Sequence, residues 1–403
     1  MSLSSKERSV LGSIDPTVLL AHVETWSAVN SGSYNLAGLA EMADLLASAF
    51  GALGEVQLRE PAAASRMLDD GSIAPLAHGK NLHLVVRPQA PTRILLTGHY
   101  DTVFGEDHPF QALRWLEPGV LNGPGVADMK GGIAVMLAAL TALEASPFAQ
   151  SLGYEVVLNA DEEVSSPGST PLLLECGRRV DAGLTFEPAL PDGTLAGARP
   201  GSGNFSIHIA GRAAHAGREP EKGRNAIVAA ADLALRLASL VAPDLKVNIA
   251  KLEGGGPNNI VPDTAVLRFN MRPDTPVAQA RALAAIDEAI VQILALHDVA
   301  VQRHGGFARP PKAMDANQTR LFELVRDTGK DLGLAIGWRD AGGVCDGNNL
   351  SATGLAVVDT LGVRGGAIHS ADEFLIVESL KERAELAALL LMRLARSGFR
   401  RAG

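Results

Sequence analysis

The sequence predicts an α/β protein: a mostly parallel sheet with helices on both faces, carrying an inserted ferredoxin-like β-α-β-β-α-β unit. Three observations lead there. In the first half, short apolar runs alternate with segments of helical periodicity, as buried parallel strands joined by crossover helices require. Between residues 199 and 311 the runs change to apolar–polar alternation, the pattern of strands buried on one face only. The chain has 403 residues, more than one hydrophobic core usually serves, so two domains are expected.

Taken in order, the apolar spacing over 19–54 is helical. β-like runs at 82–86 and 94–97 precede a helix over 130–144, in which Ile133, Met136, Leu137 and Leu140 recur at steps of three and four. Strand-like 155–158 and 183–186 enclose a helical stretch at 170–176. Residues 204–210 then alternate, with Phe205, Ile207 and Ile209 against Ser206 and His208. An alanine-rich helix (225–240), two alternating runs (246–252 and 265–271), a long helix (277–296) and a last strand (299–302) complete the β-α-β-β-α-β order. Arg309-Pro-Pro-Lys312 reads as a linker back to the larger unit. That unit is completed by a helix at 318–332, a buried strand within 355–361 and an amphipathic helix at 379–396. The divisions are therefore 1–198, 199–311 and 312–403, the middle one an insertion.

Composition narrows the class of function. With 36 basic against 45 acidic residues, a net charge of −9, broad binding to nucleic acid or anionic membranes is not expected. Two cysteines, Cys176 and Cys345, are too few for a disulfide framework and suit a reducing compartment. The opening residues hold no signal-peptide core, and no apolar run reaches the length of a membrane span, so a cytoplasmic location is expected.

The chemistry concentrates where strands end. His99-Tyr-Asp101 follows the apolar run 94–98, Asp128 follows a glycine-rich turn where it opens a helix, and Asp161-Glu162-Glu163 follow the strand-like 154–159. Glu187 ends 182–186, and His369 lies in the loop beyond 355–361. Open α/β sheets bind ligands at the carboxyl ends of their strands. Any one of these residues is, alone, more often a loop residue, a helix cap or a solvated turn; their joint placement is what points to a metal centre. Imidazoles from His99 and His369 with carboxylates from Asp128, Glu163 and Glu187 suit a dinuclear site, Asp128 being the natural bridge. Two metals roughly 3.5–4 Å apart would activate a shared water and polarise a carbonyl. Glu162, beside a ligand but free to point elsewhere, is the candidate general base. Asp101 can face the second nitrogen of His99 and fix its tautomer. The rival reading is a mononuclear iron oxygenase using His99, Asp101 and His369, but it leaves Asp128, Glu163 and Glu187 without a role.

The segments His99-Tyr-Asp101-Thr-Val103, Gly125-Val-Ala-Asp128-Met-Lys-Gly-Gly132, Asp161-Glu162-Glu163, Glu187-Pro188 and His369-Ser370 resemble the di-zinc exopeptidases and deacylases. That family includes glutamate carboxypeptidases, aminoacylases, acetylornithine deacetylases and succinyl-diaminopimelate desuccinylases. The resemblance implies one zinc on His99, Asp128 and Glu187 and a second on Asp128, Glu163 and His369, with cobalt or manganese as possible substitutes. It further implies Glu162 as base, Asp101 behind His99, a cis peptide at Asp128-Met129, and a homodimer formed through the inserted lid domain. Within that domain, Ala213-Ala-His215-Ala-Gly217 resembles the segment whose histidine reaches the partner's site to steady the oxyanion. Asn258-Asn259-Ile260 resembles the loop with a substrate-binding asparagine, Asn259, and Asn270-Met-Arg272 the motif whose arginine grips a substrate carboxylate. The expected substrates are small peptides or N-acyl amino acids with a free carboxylate. Leu361-Gly-Val-Arg-Gly-Gly-Ala-Ile-His369 leans toward glutamate carboxypeptidases, with an N-acyl amino acid deacylase as the alternative. Arg199 stands near the hinge, where relatives carry a different sequence. Cys345 stands in a loop that borders the substrate in carboxypeptidases.

Overall fold

In a computed structural model describing residues 3–400, the central sheet has six strands. The few terminal residues of the first and third divisions, 1–2 and 401–403, lie outside the described residues. The spatial order is Val56–Arg59, Asn81–Val86, Leu152–Asn159, Thr92–His99, Ala182–Thr185 and Ala356–Val358. The last four run parallel; Asn81–Val86 joins them antiparallel at one edge, and Val56–Arg59 pairs antiparallel with it. Successive residues point to opposite faces, and both faces are covered. Ile94, Leu96, Val156, Leu158 and Leu184 pack into the main core with the helices Gly131–Glu144 and Glu378–Ser397. Leu95, Val157 and Val357 face the other way, onto Leu172, Leu173 and Cys176 of the helix Thr170–Arg178. Burial on both sides is why these strands read as unbroken apolar runs.

The sequence expectation needs correcting in four places. The helical stretch at 19–54 is two helices, Pro16–Ser27 and Leu36–Phe50, the second capped by the Asn35 side chain accepting from the Gly38 amide. Asp128 does not open a helix: it and Met129 have non-helical backbone angles, their peptide bond is cis, and the regular helix starts at Gly131. The segment Val126–Glu144 has the length and hydropathy of a membrane span, 1.6 on average, yet 89% of it is buried in the protein core. A small sheet of Arg114–Glu117, Val120–Asn122, Gly365–Gly366 and Phe374–Ile376 was not expected, its strands being too short to show a period.

Residues 202–309 form a second sheet, antiparallel throughout, in the order Leu245–Gly254, Thr264–Pro273, Ser202–Ala210, Ala300–Arg309. The helices Ala226–Ala238 and Pro276–His297 pack on it around a separate core of Phe205, Ile207, Leu233, Leu267, Phe269 and Ile286. Phe205 and Phe269 are directly opposite in register and stack, ring centroids 5.0 Å apart.

The connections between the two sheets are held by buried charges. Arg309-Pro-Pro-Lys312 leads back to the larger unit as a largely buried segment: Arg309 ends a strand and Lys312 is fully buried. Arg199 and Lys312 exchange backbone hydrogen bonds of 2.9 and 3.0 Å, so the outgoing and returning segments pair. Beneath them lies Asp359, whose carboxylate takes the Arg199 guanidinium at 2.8 Å and the Lys312 ammonium at 2.8 Å.

Candidate active site

The parallel strands deliver the chemistry to one edge. Thr92–His99 ends on His99, Leu152–Asn159 runs into Asp161-Glu162-Glu163, and Ala182–Thr185 leads to Glu187. Asp128 arrives from the turn before the helix Gly131–Glu144, and His369 from a loop where its own φ is +63°. His99, Asp128 and Glu187 form one group of converging donor atoms, and Asp128, Glu163 and His369 form another. The Asp128 carboxylate belongs to both through different oxygens. Its Oδ1 lies 3.1 Å from His99 Nε2 and its Oδ2 lies 3.2 Å from His369 Nε2. Glu187 Oε2 is 3.7 Å from His99 Nε2, and Glu163 Oε2 is 3.1 Å from His369 Nε2.

The set fits metal ions. Glu187 Oε1 is buried without a hydrogen-bond partner, an arrangement that costs free energy unless something else occupies the carboxylate. Burial pushes the Glu163 carboxyl up to about 7, and it holds Glu162 and Glu187 above the usual carboxylate range as well. At Asp128 burial is outweighed by the hydrogen bonds of His369 and His99, and its carboxyl is held low. Hydrogen bonds to Asp128 and Glu163 lift His369 to about 11. The clustered, buried carboxylates thus call for a neutralising positive charge, which cations would supply. A third cluster, His83, Glu155 and Cys176, is different, because the Arg179 guanidinium already pairs with Glu155 at 2.8 Å and donates to Cys176 Sγ at 3.3 Å.

Two buried carboxylates shape this centre from behind. Asp101, fully buried, sits 3.3 Å from His99 Nδ1 and leaves Nε2 to face Asp128. The same carboxylate accepts the backbone amides of Glu162 (3.1 Å) and Glu163 (3.2 Å) and the Ser33 hydroxyl (2.7 Å). Asp101 therefore fixes both a histidine, through its backbone carbonyl 3.0 Å from His99 Nδ1, and the acidic turn, through its carboxylate. Glu373 accepts the amides of Gly125, Ala127 and Asp128 at 3.2, 2.9 and 3.0 Å, clamping the irregular turn that presents Asp128. Sequence reading missed Glu373, since an acid four residues past a loop histidine carries no periodic or motif signal.

A cavity of about 920 Å³ opens over Asp128, Glu162, Glu163, Glu187 and His369 and extends to the second sheet, where Asn270 and Arg272 line it. Arg272 Nε donates to Asn270 Oδ1 at 3.1 Å and Nη1 to the Gly342 carbonyl at 3.2 Å, so it spans the cavity mouth. Arg199 and Cys345 also line the cavity. Arg199 is committed to Asp359, and the Cys345 thiol, pushed well up by burial, accepts the Gly347 amide at a helix start. The two cysteines are free. His215 and Asn259 are not brought to this cavity. They are exposed neighbours within the second unit, where the Asn259 carbonyl accepts the Ala216 amide at 2.9 Å and His215 bridges Ile260.

Residues 95–393 match the family model described as peptidase family M20/M25/M40. Carboxypeptidase G2 of Pseudomonas sp. is 31% identical over 325 residues, 79% of this chain and 78% of that protein. A succinyl-diaminopimelate desuccinylase of Xanthomonas oryzae pv. oryzae is 29% identical over 330 residues, 76% of this chain and 84% of that one. Among solved structures, a tripeptidase from Staphylococcus aureus superposes with a TM-score of 0.71 at 21% identity, covering 95% of this chain and 100% of that one. An M20 family metallo-carboxypeptidase from Sulfolobus solfataricus gives 0.69 at 14%, over 94% and 99%. The chain belongs to peptidase family M20/M25/M40 and is a metal-dependent hydrolase of that family.

Proposed function

We propose that the protein hydrolyses the amide bond of a small peptide or N-acyl amino acid that ends in a free carboxylate, in the manner of a glutamate carboxypeptidase. The single observation that carries this reading is the division of labour at Asp128, one oxygen to each donor group. His99, Asp128 and Glu187 would hold one zinc ion, and Asp128, Glu163 and His369 the other. Bound there, the metals supply Lewis acidity toward the carbonyl and a water acidified enough to attack at neutral pH.

The chain's own groups do the rest. Glu162 lines the cavity beside the ligands and, with its raised proton affinity, takes a proton from the attacking water. It then gives that proton to the departing amide nitrogen as the C–N bond breaks, leaving a free amine and a carboxylic acid that ionises to solvent. Asp101 keeps the His99 ring in one tautomer. Arg272 binds the substrate carboxylate with its planar fork at the cavity mouth. Arg272→Lys keeps the charge but not the fork, and KM is expected to rise about 10- to 100-fold with a much smaller change in kcat. Steady-state kinetics on one carboxylate substrate checks it, and an unchanged KM removes Arg272 from binding.

His215 and Asn259 act, in this reading, in a second copy. The strand Leu245–Gly254 is an open sheet edge, and the helix beside it exposes Val228 (52%) and Leu235 (73%). Pairing of two such edges would bury them and carry both polar residues toward the partner's cavity. The second unit then serves as lid and dimerisation surface, and the two free cysteines suit a reducing, cytoplasmic location.

A deacylase releasing acetate or succinate is the second reading, favoured by the desuccinylases at 29% identity. A screen of N-acetyl, N-succinyl, N-benzoyl and dipeptide substrates across the amino acids separates the two. Release of one amino acid from several acyl donors supports the carboxypeptidase reading; strict dependence on one acyl group supports the deacylase. Hydrolysis of none contradicts both.

A further inference from the structure

Arg309 is the last residue of the strand Ala300–Arg309, through which the chain leaves the second sheet. It is 1% exposed, and its guanidinium divides between two parts of the larger unit. Nη2 donates to Glu162 Oε1 at 2.8 Å, to the Glu162 carbonyl at 3.2 Å and to Ser166 Oγ at 2.9 Å. Nη1 donates to the carboxylate of Asp346 and to Asn349 Oδ1 at 3.1 Å. Asp346 is held in turn by Ser166 Oγ at 2.6 Å and by Asn159 Nδ2 at 2.5 Å. Two residues further on, Asn348 Nδ2 donates to the carbonyls of Pro200 (2.9 Å) and Pro310 (2.7 Å), one on each connecting segment.

We propose that Arg309 is a positioning residue: it fixes the orientation of the Glu162 carboxylate and ties that orientation to the junction between the two units. The proposal rests on Glu162 being the general base. Arg309 cannot serve the substrate as Arg272 does, because it is buried and both of its terminal nitrogens are engaged. What it can do follows from its shape. Its planar fork holds Glu162 on one terminal nitrogen and Asp346 on the other at a fixed spacing, which a single ammonium cannot do. The anchor at Asp346 is rigid, and the next turn of chain grips both connecting segments. A shift of those segments on closure would therefore move the guanidinium, and Glu162 with it.

The test is Arg309→Lys, made in the full-length, metal-loaded protein. With N-acetyl- and N-benzoylglutamate as substrates, kcat is expected to fall about 10- to 100-fold, the cost of a base misplaced by an ångström. KM, the Kd for glutamate measured calorimetrically, and metal content should stay at wild-type values. Arg309→Ala should lose more and regain part of it with added guanidinium ion; should that variant not fold, Arg309→Lys decides alone. A crystal structure of Arg309→Lys needs no substrate and should show Glu162 displaced with His99, Asp128 and Glu187 unmoved. An unmoved Glu162, an unchanged kcat, or a loss lying wholly in KM overturns the proposal. Wild-type protein inert toward both substrates, or Glu162→Ala retaining turnover, would instead count against the proposed function, and the crystal structure would still decide the role of Arg309.

Discussion

Glu162→Ala is expected to lower kcat by about 10²- to 10⁴-fold while both metals stay bound. The reason lies in how the acidic turn is held. The backbone amides of Glu162 and Glu163 are pinned by Asp101, so removing the Glu162 carboxylate should not release the turn that presents Glu163. Only Glu163 joins the donor group with Asp128 and His369. The loss should therefore be one of proton transfer and not of metal. Metal analysis beside kinetics checks both halves. Loss of a metal ion in this variant would make Glu162 a ligand, and retained turnover would remove it from the reaction.

The largest effect on stability is expected from Asp359→Ala. Asp359 and Lys312 are fully buried and Arg199 is 8% exposed. Burial would raise the Asp359 carboxyl, but Arg199 and Lys312 outweigh it and hold the carboxyl low. Truncation leaves two buried cations with no counter-charge, and breaking such a set costs about 3–5 kcal/mol. The loss is measured from urea unfolding of variant and wild type. Asp359→Ala/Lys312→Met should recover part of it, because one unpaired charge is then gone. A cost below about 1 kcal/mol would show that water reaches these groups and that the junction is not an ionic clamp.

How much of this was legible in the sequence depends on the range of the interaction. The strands ending at His99 and Thr185 are buried on both faces, so their apolar runs identify them, and the residues that follow inherit a known place at the sheet edge. The second sheet was legible for the opposite reason, its one-sided burial leaving the alternation of Phe205, Ile207 and Ile209. What escaped depends on partners far away in the chain. Arg309 meets Glu162 across 147 positions, and Glu373 meets Asp128 across 245. Neither has a local signature, and nothing local in Arg309-Pro-Pro-Lys312, which reads as a linker, shows that the junction is buried and ionic. Asp128 was misplaced at a helix start because glycines on either side resemble a helix cap, whereas the turn is irregular and needs Glu373 to satisfy its amides. His215 and Asn259 were legible only through resemblance, and within one chain they stand away from the cavity.

The measurement that bears most directly on the central claim is a count of metal ions per chain, taken together with amide hydrolysis during stepwise chelation and zinc return. The arrangement around Asp128 predicts two ions per chain, one for each donor group, with hydrolysis lost on chelation and restored by zinc. A single ion, or hydrolysis indifferent to the chelator, would contradict the shared-carboxylate centre.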